Sequence, residues 1–280
     1  MIQTKSRRWI GSLLTNLALI AICYLMIYPV LYGLMTSFKT QGTVLTMPPS
    51  FLPPKWSLDG YRAVMNSDMF RVYLPNTAIN AIISSLVTMP IAALAAYSFS
   101  RYKFRWSKAL QLAILGLMMI PGLTNLVAIY RIGSVLKLMN THFILIIIYT
   151  AGGVPFTLWI IKAFFDAIPR EMEEAALIDG CSPLMSLRYV VIPLSMPGLV
   201  SGFLMNFVYT WNEFLAAVVL LTANKARTAT VGLYDFQSAY EIAYHVLTAA
   251  CIVIMLPVVI TFVVARKSFF RAMMDGALKG

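Results

Sequence analysis

Charged side chains are scarce in this sequence, and their scarcity excludes most soluble proteins. Lysine, arginine, aspartate and glutamate make up 12% of the 280 residues, hydrophobic residues make up 60%, and the mean hydropathy is +0.78. A soluble domain carries about a quarter charged residues. A chain this apolar could not cover its surface with polar groups in water, so we expect membrane lipid to be its main solvent.

Cysteine and histidine are also rare, and phosphate-binding motifs are missing. The three cysteines Cys23, Cys181 and Cys251 lie far apart without metal-binding or redox spacing, so we predict no metal site. No Gly-x-x-x-x-Gly-Lys-[Ser/Thr] phosphate loop and no catalytic serine motif occurs. We therefore predict no catalytic residues, no cofactor bound by this chain, and a protein that is not itself an ATP-hydrolysing enzyme.

The basic residues that give the net charge of +11 are scattered between apolar runs. Because they form no stripe with interleaved aromatic residues, we exclude a nucleic-acid partner. Basic residues that flank apolar runs usually mark cytoplasmic loops of a membrane protein.

Long apolar runs predict an all-α membrane protein with six transmembrane helices. A helix needs about 20 apolar residues to cross the hydrocarbon core, and backbone groups in lipid must bond internally. The first run, from Trp9 to Phe38, is too long for a signal peptide, so we interpret it as an uncleaved span. We predict a single transmembrane domain over residues 1–280, with spans at about 12–36, 76–99, 109–130, 141–162, 199–221 and 243–265.

The distribution of basic residues predicts the orientation of these spans. With the N-terminus inside, 14 lysines and arginines fall in inner segments and 8 in outer segments. The segment 101–108 alone holds Arg101, Lys103, Arg105 and Lys108. We therefore expect both termini to be cytoplasmic.

One inner segment differs from its surroundings, and we call residues 163–198 the acidic loop. It contains five of the eleven acidic residues and is predicted to form two short helices between spans four and five. Pro169 suits the start of the first helix, and Gly180 can adopt the positive φ that ends it. Ser182 is a good N-cap and Pro183 a good first residue for the second helix. Lipid-surface helices are rich in lysine and arginine, so an acidic helix favours docking on a soluble partner over lying on lipid.

The acidic loop resembles the EAA…G…I-x-L-P loop of bacterial ABC importer permeases. The matching residues are Glu174-Ala175-Ala176, then Gly180, then Val190-Val191-Ile192-Pro193. Four further segments resemble the MalG-like branch, which serves carbohydrate uptake: Ser37-Phe38-Lys39-Thr40, Arg101-Tyr102-Lys103-Phe104, Trp211-Asn212-Glu213-Phe214 and the C-terminal Gly276-Ala277-Leu278-Lys279-Gly280.

This resemblance implies a function and a set of partners. The chain would be the permease subunit of an ATP-driven, binding-protein-dependent sugar importer in the bacterial cytoplasmic membrane. Its acidic loop would be the coupling helix that contacts the ATPase, through Glu174, Ala175, Ala176, Asp179 and Gly180. The implied partners are a second permease subunit in a heterodimer, a dimeric ATPase that holds ATP and Mg, and an extracellular or periplasmic solute-binding protein.

Polar residues of span five are candidates for the lining of a pathway. Asn206, Thr210 and Glu213 are spaced i, i+4, i+7 and share one helix face, and Trp211 and Asn212 are adjacent. A carboxylate in a span normally faces a protein interior or a watery path. Two interpretations stay open: this face lines the pathway, or Glu213 pairs with a basic residue while Trp211 belongs to the interfacial belt.

Two other classes of protein remain as alternatives, an ion-coupled secondary transporter and a non-transporting membrane scaffold subunit. A secondary transporter would need a cluster of membrane carboxylates or an internal repeat. Only Glu213 is available within the predicted spans, and no repeat is visible.

Overall fold

The computed structural model describes residues 5–237 and 242–277, and most of them are helical. Within those residues, β-pairing is limited to one isolated bridge between Gln237 and Ile242. The predicted all-α class is therefore confirmed. The chain divides into two compact units, one comprising the residues up to Ser67 with Leu233–Ile254, the other Asp68–Gly232 with the residues from Met255 onward.

The first unit is built on a long N-terminal helix and the beginning of the last helix. Its elements are α1 (Lys5–Ser37), α2 (Gln41–Val44), α3 (Asp59–Asn66), a 3-10 turn (Leu233–Phe236) and the first part of α14 (Tyr244–Ala277). The side chains of α1 are exposed from Ser12 to Leu31, as expected for a helix whose solvent is lipid. Residues 278–280 of the C-terminal tail Gly276–Gly280 lie outside the described residues.

The proline-rich segment after α1 is ordered by aromatic packing. The ring of Phe38 lies 5.5 Å from that of Trp56 and 5.2 Å from that of Tyr61. Lys39 is almost fully buried, and its Nζ donates a hydrogen bond to the Ser50 carbonyl oxygen at 2.6 Å. These contacts fix residues 38–61 without regular secondary structure over most of their length.

The second unit contains the remaining helices. They are a π-helical turn (Met69–Tyr73), α4 (Leu74–Arg101), α5 (Ser107–Met118), α6 (Gly122–Val135), α7 (His142–Ala167), α8 (Arg170–Ile178), α9 (Pro183–Ser186), a second π-helical turn (Leu187–Val191), α10 (Ile192–Leu194), α11 (Met196–Asn212), α12 (Leu215–Leu220), a 3-10 turn (Asn224–Ala226), α13 (Ala229–Gly232) and the later part of α14.

Helices α4, α7 and α11 pack against one another and form the centre of the second unit. One apolar cluster joins small residues of α4, such as Ala92 and Ala96, to Leu158, Ile161 and Phe165 of α7. Small residues at a helix contact let the backbones approach closely, which is how membrane helices associate. A second cluster joins the beginning of α7 to α12.

Four of the predicted spans are long continuous helices. By length and composition, the segments Ser12–Ser37, Met69–Arg101, His142–Ala167 and Tyr244–Arg266 can each cross a bilayer. The bent pair Pro183–Leu194 and Met196–Asn212, at 80°, gives a fifth candidate among the described residues. The multi-helix membrane fold is confirmed, whereas the count of six continuous spans is not.

The predicted third span, 109–130, is two helices rather than one. Helix α5 ends at Met118 after 12 residues, and α6 begins at Gly122. Pro121 has no N–H to donate and disfavours helical backbone at Ile120, which favours a break at this point. At about 1.5 Å per residue, neither helix alone covers the hydrocarbon core.

The predicted fifth span, 199–221, is also broken. Helix α11 ends at Asn212, where Glu213 has extended backbone (φ −66°, ψ 132°), and α12 starts again at Leu215. Hydropathy averages over such a break, because the residues on both sides of it are apolar.

Candidate functional site

The first helix of the acidic loop, α8, begins and ends as its sequence predicts. Pro169 precedes Arg170, the first helical residue, and the first turn carries acidic side chains that suit a helix N-terminus. At the other end, the Gly180 N–H donates to the Leu177 carbonyl oxygen and the Cys181 N–H to that of Ala176. Gly180 has φ +88°, a conformation that glycine adopts without a β-carbon clash. The predicted glycine stop is confirmed.

The second helix of the acidic loop starts with the predicted cap. The Ser182 hydroxyl oxygen accepts a hydrogen bond from the Met185 N–H at 3.3 Å, and Pro183 is the first helical residue. The following π-helical turn carries Leu187 and Val191 into the apolar cluster of α4 and α7. The second half of the loop is therefore anchored in the core of its own chain.

The residues predicted to contact an ATPase lie mostly on the exposed side of α8. Glu174, Ala175, Asp179 and Gly180 are exposed, and Ala176 is half-buried. Exposed apolar side chains flank them: Leu177 is 45% exposed and Ile178 85%. An exposed surface that mixes carboxylates with large apolar side chains is suited to contact another protein.

The buried acid of α8 is Glu173, which the sequence interpretation did not single out. Its side chain is 8% exposed and forms an ion pair with Arg101, whose side chain is 10% exposed. The Tyr97 hydroxyl donates a hydrogen bond to Glu173 Oε2 at 2.9 Å. A partial signal was present in the sequence: adjacent residues of a helix point about 100° apart, so Glu173 and Glu174 can face different surroundings, and α4 ends in an arginine that can pair with one of them.

The candidate pathway residues Asn206, Thr210 and Trp211 are all buried, with 2%, 3% and 2% of their surfaces exposed. The Thr210 hydroxyl donates to the Asn206 carbonyl oxygen of its own helix at 2.9 Å. Trp211 borders an open apolar groove of about 710 Å³, together with Phe207 and residues of α4 and α14. Whether this face lines a pathway stays a prediction.

The side chain of Asn206 joins α11 to α4. Its Nδ2 donates to the hydroxyl oxygens of Ser85 at 3.1 Å and Thr88 at 3.4 Å. On the opposite side lies Gly153 of α7, where an added β-carbon would stand 1.9 Å from Asn206 Oδ1. The amide therefore fills the contact between three helices, and only glycine at 153 leaves room for it.

Glu213 connects the broken fifth span to α7. Its carboxylate oxygens accept hydrogen bonds from the backbone N–H groups of Ala216 at 2.8 Å and Ala217 at 3.2 Å, and from the Tyr149 hydroxyl at 2.7 Å. These are the donors that the first turn of α12 leaves free, so the carboxylate caps that helix. Asn212 is exposed, and its Nδ2 donates to the Val208 carbonyl oxygen at 2.8 Å. In the described structure, the partners of Glu213 are a tyrosine and backbone amides. The alternative interpretation, in which Glu213 pairs with a basic residue, does not describe these contacts.

Comparison with known proteins gives consistent matches over most of the chain. Residues 88–274 match the family described as binding-protein-dependent transport system inner membrane component. The chain is 33% identical to the trehalose/maltose transport system permease protein MalG of Thermococcus litoralis, covering 91% of this chain and 92% of that protein. It is 29% identical to the maltodextrin transport system permease protein MdxG of Bacillus subtilis, covering 99% and 100%.

A solved structure shows the same fold at low sequence identity. It is a chain of a bacterial ABC transporter involved in the import of the acidic polysaccharide alginate, with a TM-score of 0.82 and 22% identity. The match covers 96% of this chain and 99% of that one.

Proposed function

Since the chain belongs to the family of binding-protein-dependent transport system inner membrane components, we propose that it forms half of the membrane pathway of an ATP-driven sugar importer. It is a multi-pass permease subunit of an ABC transporter. Its relatives from Thermococcus litoralis and Bacillus subtilis are named for trehalose and maltose and for maltodextrin. These names support a sugar or an oligosaccharide as the solute.

The observation that carries this proposal is the two-sided character of α8. One side of the helix is fixed to its own chain through Glu173 and Arg101. The other side presents Glu174 and Asp179 with the 85% exposed Ile178. An acidic helix with exposed apolar ends fits a groove lined with basic and apolar groups, and an ATPase subunit is the partner that would supply it.

The energy for transport comes from that partner in our proposal. The chain has no phosphate loop, so ATP and Mg would be bound by a dimeric ATPase on the cytoplasmic side. The acidic loop would then face the cytoplasm. We propose that α5 and α6 together cross the membrane once, so that both termini lie on the same side as the acidic loop. A solute-binding protein would deliver the sugar from outside, and a second permease subunit would form the other half of the pathway.

Transport in this scheme is conformational work rather than chemistry on the solute. Closure of the ATPase dimer displaces α8, and the anchored loop carries the displacement into the packed helices α4, α7 and α11. Packed helices shift as rigid bodies and re-orient the pathway between its two sides.

An ion-coupled secondary transporter is a weaker proposal, for a structural reason. Such a transporter needs a membrane carboxylate that can release and rebind a cation or proton. Both carboxylate oxygens of Glu213 already accept hydrogen bonds from Tyr149 and from the start of α12. A non-transporting scaffold is also a weaker proposal, because it would have no ATPase to dock on the exposed face of α8.

The test is the substitution Gly180→Leu in the assembled transporter. A β-carbon at φ +88° costs about 1–2 kcal/mol, and no other group lies within 4 Å of it, so the strain acts on the end of α8 alone. We expect normal membrane insertion and loss of ATP-dependent sugar uptake in proteoliposomes.

The matched control is Gly116→Leu in α5, where the backbone has no positive φ and the β-carbon also meets open space. It should transport at the unmodified rate. Uptake by the Gly180→Leu protein at the unmodified rate would contradict the coupling role. A purified transporter that contains no ATPase would contradict the proposed function as a whole.

A further inference from the structure

We propose that Arg101 and Glu173 form a clamp that fixes the acidic loop to α4, so that a displacement of α8 is transmitted to the second span. The two are positioning residues, and neither touches solute or nucleotide. The inference rests on the proposed function, since it assigns how the partner's motion enters the membrane helices. It concerns the side of α8 opposite to the exposed face described above.

The clamp is enclosed, and both oxygens of the carboxylate are used. Glu173 Oε1 accepts from Arg101 Nε, and Oε2 accepts from the Tyr97 hydroxyl at 2.9 Å. With side-chain exposures of 8% and 10%, neither member of the pair can exchange its partner for water without moving the helix.

Further hydrogen bonds place the clamp at the point where the loop leaves the membrane helices. Arg101 Nη2 donates to the Ile168 carbonyl oxygen at 3.3 Å, just before α8 begins. In the reverse direction, Arg170 Nη2 donates to the Ser100 carbonyl oxygen at 3.2 Å. The last residues of α4 and the first residues of α8 are thus joined from both sides.

A buried pair of this kind resists separation far more than a surface pair. Separating Arg101 from Glu173 would leave two uncompensated charges in a low-dielectric site. The nearby pair Lys162–Asp166 offers a contrast, because it lies within one helix and its aspartate is 44% exposed. Of these two pairs, only Arg101–Glu173 connects two different helices, α4 and α8, which must move together in our proposal.

The first test replaces Glu173→Gln in the complete transporter, with its ATPase and binding protein, reconstituted in proteoliposomes. We expect ATP hydrolysis to continue while the amount of sugar imported per ATP falls about tenfold. The matched control Asp166→Asn, which removes the exposed pair, should keep the unmodified ratio. An unchanged ratio in Glu173→Gln overturns the clamp.

A second variant separates the clamp from a simple requirement for charge balance. In Arg101→Gln/Glu173→Gln no buried charge is left unpaired, so we expect the complex to assemble even if Glu173→Gln does not. The clamp predicts that this double variant still imports little sugar per ATP. Import at the unmodified ratio would show that the pair only neutralises charge, and would overturn the proposal.

A distance measurement between α4 and α8 tests the clamp while Arg101 and Glu173 are both left in place. Spin labels at Ser98→Cys of α4 and Glu171→Cys of α8, with the three native cysteines replaced, report the separation of the two helices. We expect the same distance distribution with and without ATP, and a shifted distribution in the Glu173→Gln background. A nucleotide-dependent shift with the pair intact overturns the clamp.

The two proposals fail in distinguishable ways. If the unmodified complex shows no ATP-dependent uptake, the proposed function itself is wrong. If it transports but Glu173→Gln keeps the unmodified ratio, the proposed function stands and only the clamp is lost.

Discussion

Replacing Gly153 by alanine tests the three-helix contact at the centre of the second unit. The new β-carbon would lie 1.9 Å from Oδ1 and 2.8 Å from Cγ of Asn206, so the amide must move. Asn206 is 2% exposed and has no solvent to move into. The amide therefore has to give up its hydrogen bonds to Ser85 and Thr88, or the helices must separate.

The expected loss in the free energy of unfolding follows from overpacking and from the lost hydrogen bonds. Overpacking a well-packed site costs about 1–3 kcal/mol. The two interhelical hydrogen bonds add about 0.6 kcal/mol each in a membrane protein. Alanine favours helix by up to about 1 kcal/mol relative to glycine, which offsets part of these costs. We expect Gly153→Ala to lower the free energy of unfolding by about 1–3 kcal/mol, measured by denaturant titration in mixed detergent micelles.

The preceding residue supplies the control. Gly152 is exposed, and a β-carbon there meets nothing within 4 Å. Gly152→Ala should change the free energy of unfolding by less than about 1 kcal/mol, in the stabilising direction, because alanine favours helix. Equal effects of the two alanines would refute the reasoning. The double variant Gly153→Ala/Asn206→Ala should recover the overpacking part, since it removes the amide that the methyl group strikes.

Two further substitutions test the capping contacts near the fifth span by the same titration. Glu213→Ala removes the acceptors for the Ala216 N–H and the Tyr149 hydroxyl, and should cost about 1–2 kcal/mol, whereas Glu213→Gln keeps an oxygen and should cost less. Asn140→Ala removes the acceptor of the Ala223 N–H and places alanine at φ +62°. It should therefore lower the free energy of unfolding by about 1–3 kcal/mol. An unchanged free energy of unfolding in either alanine variant would contradict the assigned contacts.

The local parts of the candidate site follow from the sequence because they depend on neighbouring residues. The start of α8 after Pro169, its end at Gly180 and the cap at Ser182 each involve groups within five positions of one another. Capping chemistry acts over this range, so residue type and spacing are sufficient to predict it.

The contacts of Glu173 and Asn206 could not be predicted in the same way. Glu173 pairs with a residue 72 positions away, and Asn206 bonds residues 118 and 121 positions away. Helical periodicity shows which residues share a face, but the neighbour of that face depends on how the helices pack. The sequence therefore identified Asn206 as notable without showing that it joins helices.

The broken spans show a similar limit. Pro121 is visible in the sequence, and a kink near it is predictable, but hydropathy alone does not separate a kinked span from two short helices. At Glu213 the break also requires a partner, since the free N–H groups of α12 need the carboxylate that Tyr149 holds in place.

The cap at Glu213 has a consequence for the biogenesis of the protein. Chains enter the bilayer from the N-terminus onward, so α7 is already in place when the fifth apolar stretch leaves the translocon. The Tyr149 hydroxyl is then already present to donate its hydrogen bond when Glu213 is inserted. The Tyr149 hydroxyl is thus synthesised before the Glu213 carboxylate that it binds. In a rearranged chain in which the fifth stretch preceded the fourth, Glu213 would enter the hydrocarbon without this hydrogen-bond donor.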